Sequence, residues 1–169
     1  KQKLDERANI TMLKKFYSEF TNATNLLIVD YGFPSGWGLK DNDSASSDFV
    51  LNLYKERMNM VKICGEGDTS CFAFPIKKYN GTTKITESEY SGWALKSFVL
   101  NNGVTCFFDV NNGNFSVFFD VNGNKPPGTL GVDVFAWAVN GNGKIVRYTD
   151  PSINSGNDEA DYNYAFEIM

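Results

Sequence analysis

Histidine does not occur anywhere in this chain of 169 residues. Its absence removes in one step the imidazole-based general acids and bases, the serine and cysteine triads, and nearly every catalytic zinc site. Long apolar runs are missing too: no segment approaches the ~20 residues of a membrane span, and no signal peptide stands at the start. Nor is there a surplus of positive charge. Sixteen Lys and Arg against twenty Asp and Glu give a net charge of −4, which leaves nothing over to neutralise a phosphate backbone or an anionic lipid surface. Nucleic acid is therefore not expected as a partner, and no catalytic residue is assigned. What the chain does have is 42% hydrophobic residues, with 15% aromatic, enough for one ordinary globular core.

Other signals of enzymatic chemistry are equally thin. GEGDTS lacks the lysine of a phosphate-binding loop, and VNGNGK leads into a strand instead of a helix, so no nucleotide is expected. The acidic groups Glu66/Asp68, Glu87/Glu89 and Asp158/Glu159/Asp161 read as solvated loop charges, not as the acid and base of a glycosidase. Tyr31, Phe33, Trp37 and Trp93 could stack on sugars, but in so aromatic a chain they read first as core or loop anchors.

Cysteine stands at 64, 71 and 106. The first two bracket a short Gly- and Asp-containing loop, ICGEGDTSCF, whose length suits a Cys64–Cys71 disulfide in an oxidising compartment. Two reduced thiols placed there by chance are the alternative. Cys106, beside Val104, Phe107 and Phe108, reads as a buried thiol in a strand.

Residues 1–27 give the clearest helical pattern. On a 3.6-residue wheel Ala8, Met12, Phe16, Phe20, Ala23 and Leu27 gather on one side, with Leu13 and Tyr17 flanking and Arg7, Lys14, Ser18 and Thr21 opposite. Before Ala8 the stripe breaks at Asp5, so the first turns are expected to project beyond the domain body. No N-cap signature marks Lys1 to Leu4, as expected of a helix that continues upstream. A second helix is predicted over about 47–61, and Thr86 with Glu89 resembles a capping box ahead of a short third one.

From Lys96 onward the pattern changes. Apolar runs of five to seven residues alternate with NNG, NNGN, NGN and NGNG, which are hairpin signals because Asn and Gly tolerate positive φ. Strands are predicted at about 96–100, 104–110, 115–121, 133–139 and 144–148, joined in sequence as an antiparallel meander. The expected class is α+β, a long N-terminal amphipathic helix packed on a C-terminal antiparallel sheet. Residues 1–27 supply the helix and 28–169 the head of a single domain.

Asp120, Asn122 and Asn124 stand at alternate positions, with Asp133 beyond, so hard oxygen donors converge in sequence as a structural calcium would require. The EF-hand pattern fails, because the twelfth position counted from Asp120 is Gly131. Asp and Asn side chains that merely close turns onto their own backbone are the commoner arrangement and remain the default. Asp109, Asn111 and Asn114 have the same simple explanation and are assigned no site.

The stretch 115–137, FSVFFDVNGNKPPGTLGVDVFAWAV, resembles a segment of bacterial type IV pilin-like and type II secretion pseudopilin-like proteins. In that segment a strand leads into a turn written roughly DVNG-x-K-x-P-N-x-x-G-x-D-x-F. Asp120, Val121, Asn122, Gly123, Lys125, Pro127, Gly131, Asp133 and Phe135 occupy the matching places; the departure is Gly128, where the pattern usually carries Asn. The resemblance implies a precursor with a basic leader, a prepilin peptidase site, a methylated N-terminus and an apolar helical segment that anchors the subunit in the inner membrane. It further implies partners among other pilin-like subunits and the assembly machinery, a location facing the periplasm or in an extracellular filament, and membrane contact only through the missing segment. The expected role is structural. The alternative is a secreted, calcium-stabilised binding module or adhesin that recognises a glycan or host surface.

Overall fold

Gln2–Tyr31 forms one unbroken helix, α1, in a computed structural model that describes residues 2–111, 114–126, 128–148 and 164–169. Its buried residues Leu13, Phe16, Phe20, Ala23 and Leu27 recur at three- and four-residue spacing, which sets them in one stripe along the helix. Tyr17 and Met12 pack half-buried beside them. Ala8 is exposed, a correction to its place on the packing face: the wheel assigns a direction, but burial starts only at Leu13, one turn further on. Among the described residues no helix is long and apolar enough to cross a membrane.

The second helix, α2, spans Ser44–Lys55, capped by the Asp43 carboxylate, which accepts from the Ser46 backbone N–H. It starts and stops earlier than the predicted 47–61, because Met60–Ile63 leaves the helix to form a strand, β1, paired with Ser97–Leu100. Two short strands follow, β2 (Ile76–Lys77) and β3 (Thr83–Ile85), and then α3 (Glu87–Gly92). α3 opens on the expected capping box: Thr86 Oγ1 accepts from the Glu89 N–H, and the Glu89 carboxylate accepts from the Thr86 N–H, both at 3.0 Å.

The remaining strands are β4 (Ser97–Leu100), β5 (Thr105–Asn111), β6 (Asn114–Asp120), β7 (Gly128–Thr129), β8 (Val134–Val139) and β9 (Ile145–Arg147), followed by α4 (Tyr164–Ile168). β1, β4, β5, β6, β8 and β9 lie side by side in that order in one antiparallel sheet. From β4 onward this is the predicted meander, with β1 added at its edge. A second sheet of order β3-β2-β7 was not legible in the pattern, since strands of two and three residues carry no measurable alternation. In it β2 runs parallel to β7, with Ile76 opposite Gly128.

Both faces of the large sheet are covered. Cys106, Phe108, Phe115, Val117, Phe119, Phe135 and Trp137 face α1 and α2, while Phe107, Phe118, Val134 and Ala136 face the small sheet and α3. Burial on both sides explains why β6 and β8 read as nearly continuous apolar runs instead of alternating ones. At the far end of the chain, Ala165 is buried and Phe166 and Ile168 pack on the helix-side core. The acidic run 158–161 lies outside the described residues.

Candidate functional site

The loop after β6 gathers most of the chain's unusual chemistry. Asp120 ends β6 and pairs across the sheet with Thr105 on β5 and Val134 on β8. Its Oδ1 accepts from the Asn122 N–H at 2.8 Å, the turn-closing bond that the sequence makes the default. The chain then turns at Gly123, at φ 74°, where an added Cβ would lie 2.9 Å from the Gly103 carbonyl oxygen. Only glycine fits both that conformation and that approach.

The loop returns through β7 to Asp133, whose Oδ1 accepts from the Thr129 N–H at 2.6 Å. The Val121 N–H donates to the Asp133 carbonyl at 2.9 Å, which ties the two ends of the loop together. Asp120 is completely buried and Asp133 is 5% exposed. Burial, followed by the neighbouring Asp133 charge, pushes the Asp120 carboxyl up to about 8. Burial also raises Asp133, against lowering contributions from the Thr129 N–H and the Asn122 side chain.

Of the four residues expected to share a cation, the fold thus brings Asp120 and Asp133 together and sets Asn122 beside Asp133. Asn124 is turned away: it is exposed, and its Nδ2 donates to the Ser70 carbonyl at 3.3 Å. Among the described residues no three carboxylate or cysteine side chains converge as metal ligands. Asp120 Oδ2 and, on the paired strand, Thr105 Oγ1 are buried without a hydrogen-bond partner. Thr105 carried no sequence signal, being one polar residue in an apolar strand.

Gly128 is the position that departs from the resembling pattern, and its surroundings supply a reason. A Cβ there would lie 2.9 Å from the Ala73 carbonyl oxygen, 3.4 Å from Val134 Cγ2 and 3.6 Å from Asp120 Oδ2. A side chain would collide with backbone. Pro127 lies outside the described residues.

Cys64 and Cys71 are joined in a disulfide, with Cα atoms 6.1 Å apart, while Cys106 is a buried free thiol. Closing so short a ring removes enough unfolded-chain entropy to stabilise by roughly 2–3 kcal/mol. Reduction is therefore expected to lower the free energy of unfolding by that amount in denaturant titrations with and without reductant, and a change below about 0.5 kcal/mol would show the crosslink to be idle.

The other sequence candidates are scattered. Glu66, Asp68, Glu87 and Glu89 are exposed. Glu89 is committed to its cap, and Glu87 accepts from the Thr69 hydroxyl. Trp37 stacks on Phe115 and donates its Nε1–H to the Gly32 carbonyl, so it is an anchor. Tyr31, Phe33 and Trp93 are exposed, with Tyr31 donating to Glu56.

Thr24 is a polar residue on the packing stripe that the apolar pattern passed over. Its hydroxyl donates to the Phe20 carbonyl at 2.8 Å and meets the Tyr54 hydroxyl at 2.6 Å. With the Thr24 proton so used, the Tyr54 O–H donates, and α1 is joined to α2 inside the core.

Comparison with known proteins found no family model, no curated protein and no solved structure that matches this chain.

Proposed function

We propose that this chain is the head of a filament subunit of the type IV pilin and type II secretion pseudopilin kind, and that its work is assembly. The observation that carries the reading is the division of α1. From Leu13 to Leu27 its stripe is buried on the sheet, whereas Glu6, Arg7 and Ala8 are exposed although the helix runs unbroken through them. Uncovered helical turns gain little from their own hydrogen bonds, and neighbouring helices in a polymer would supply the missing cover.

A second support is the resemblance of Asp120 to Phe135, which falls on the loop that ties β6 to β8. On this reading the upstream part of the helix anchors the subunit in the bilayer before extraction and packs against other subunits afterwards. The chain supplies shape and contacts, and catalysis belongs to the assembly machinery. The rival reading, a calcium-stabilised secreted binding module, is favoured by one feature, the buried carboxylate pair.

The two diverge in the gene. The coding sequence directly upstream of Lys1 is expected to encode an apolar run of about 20 residues. A start codon at this point, or another hydrophilic module ahead of it, would overturn the filament reading.

A further inference from the structure

Charge is unevenly spread on this chain of net −4. A groove of about 470 Å³ lies against β1, β4 and β5, and among the described residues it is lined by two lysines, Lys62 and Lys125, and by no carboxylate. Val99 and Thr105 form its floor: they alternate with Phe98 and Cys106, which face the helices, and so point the other way. Its rim is made of three turns. Asn102-Gly103 joins β4 to β5, Ser70 and Cys71 belong to the disulfide loop, and 121–125 follows β6. The Asn124 amide donates to the Ser70 carbonyl at 3.3 Å, which ties two of those turns together, and the Asn102 side-chain oxygen accepts from the Val104 N–H at 3.1 Å. The groove is thus built before a ligand arrives.

Neither lysine is committed to a carboxylate. Lys62 and Lys125 are exposed and form no ion pair among the described residues. Thr105 is 2% exposed, and its Oγ1 has no hydrogen-bond partner. A buried hydroxyl left over on the floor of a cationic groove points to a ligand that accepts hydrogen bonds.

The lining also narrows the ligand's class. No aromatic side chain offers a face for a sugar or a base, and no arginine offers the planar fork that suits phosphate. Beside the groove, β1 is the outermost strand of the large sheet, so one side of Met60–Ile63 has no strand paired to it among the described residues. Such an edge is open to an added strand. The register shift between Met60 and Lys62, and Lys62 itself, guard it against indiscriminate pairing. A strand that brings carboxylates turns the same lysine into an attraction.

We infer that the groove and the free edge of β1 bind an extended acidic peptide segment of a partner protein. The segment adds to β1 through main-chain hydrogen bonds and sets Asp or Glu side chains against Lys62 and Lys125. The inference does not depend on the filament reading, which the upstream coding sequence tests separately.

Fluorescence polarisation tests it with a labelled peptide of about ten residues carrying Glu at alternate positions, beside the same peptide with Gln in their place. The Glu peptide is expected to bind with a Kd of about 100 µM or tighter, the Gln peptide at least about tenfold more weakly, and added salt to weaken the first. Lys62→Gln and Lys125→Gln are each expected to weaken binding about threefold, and together about tenfold. Lys144→Gln, at an exposed lysine in the turn between β8 and β9, should leave it unchanged. Hydrogen exchange at Met60–Ile63 is expected to slow in the complex. Equal binding of the two peptides, no binding up to about 1 mM, or as large a loss in Lys144→Gln overturns the groove. Unchanged exchange at β1 overturns strand addition, and competition by inorganic phosphate or an oligouronate at the peptide's own concentration overturns the assignment to a peptide.

Discussion

Phe16→Ala and Phe20→Ala are each expected to lower the free energy of unfolding by about 3–5 kcal/mol. Both side chains are fully buried. Phe16 meets Phe119 at 4.4 Å and stacks on Trp137 at 5.4 Å between ring centroids. Phe20 lies almost parallel to Tyr54 at 4.9 Å and reaches Trp137 at 5.8 Å. Truncating either one loses the transfer free energy of a ring and leaves a cavity that neighbouring aromatics are too rigid to fill.

The control lies on the same helix: Val29, 81% exposed, should tolerate Ala within about 0.5 kcal/mol. Because the rings of Phe16 and Phe20 are 5.7 Å apart, the double variant should depart from additivity by about 0.5 kcal/mol or more. Denaturant titration measures all four proteins. A loss below about 1 kcal/mol for both single variants would mean that α1 does not rest on the sheet as described.

Stability in calcium-free buffer is expected to fall as the pH rises from about 4 to 8, and Asp120→Asn to remove most of that fall. The Asp120 carboxyl is pushed up to about 8 by burial and by Asp133, against about 3.9 in an unfolded chain. A group raised in this way holds its proton in the folded state after the unfolded chain has released it. Its contribution is fully present below the unfolded value and is lost as pH climbs through the folded one. At about 1.4 kcal/mol per pH unit, the loss above pH 8 is roughly 6 kcal/mol as an upper figure, and Asp133, also raised by burial, acts in the same direction.

Asp43 and Asp68 do not obscure this window. Hydrogen bonds from Ser46 and Ser70 hold their carboxyls below the usual range, so their contribution is lost only as pH falls below about 4. At pH 8.5 the Asp120→Asn protein should be the more stable of the two. Equal unfolding free energies at pH 5 and pH 8.5 for the parent, or the same pH dependence in the variant, would contradict the burial of an ionisable pair.

Much of the architecture was present in the order of residues. The three- and four-residue recurrence from Leu13 to Leu27 marks α1, the Thr86–Glu89 pair marks the start of α3, and the Asn-Gly clusters separate the strands of the meander, because each of these signals is local. Edges were less legible. Met60–Ile63 follows α2 with no Gly or Pro between, and it becomes a strand because β4 offers it an unpaired edge. β7 pairs with β2, with Gly128 opposite Ile76, and β2 in turn with β3, and none of these short strands alone has a pattern to recognise.

The candidate site shows the same division. Asp120, Asn122, Asn124 and Asp133 were visible as a cluster of oxygen donors. The sequence by itself determined that such donors were available, that histidine chemistry was not, and that an amphipathic helix would need a sheet to cover it. Only the tertiary structure decided that Asp120 and Asp133 meet in the interior, that Asn124 turns to Ser70 instead, and that Gly128 lies against the unpartnered Asp120 oxygen while Thr105 pairs with Asp120 across the strands. The reason is physical. Spacing along the chain fixes which side chains share a face, but burial and the loss of water around a carboxylate depend on strands paired from distant parts of the chain, and those set the electrostatics of this loop.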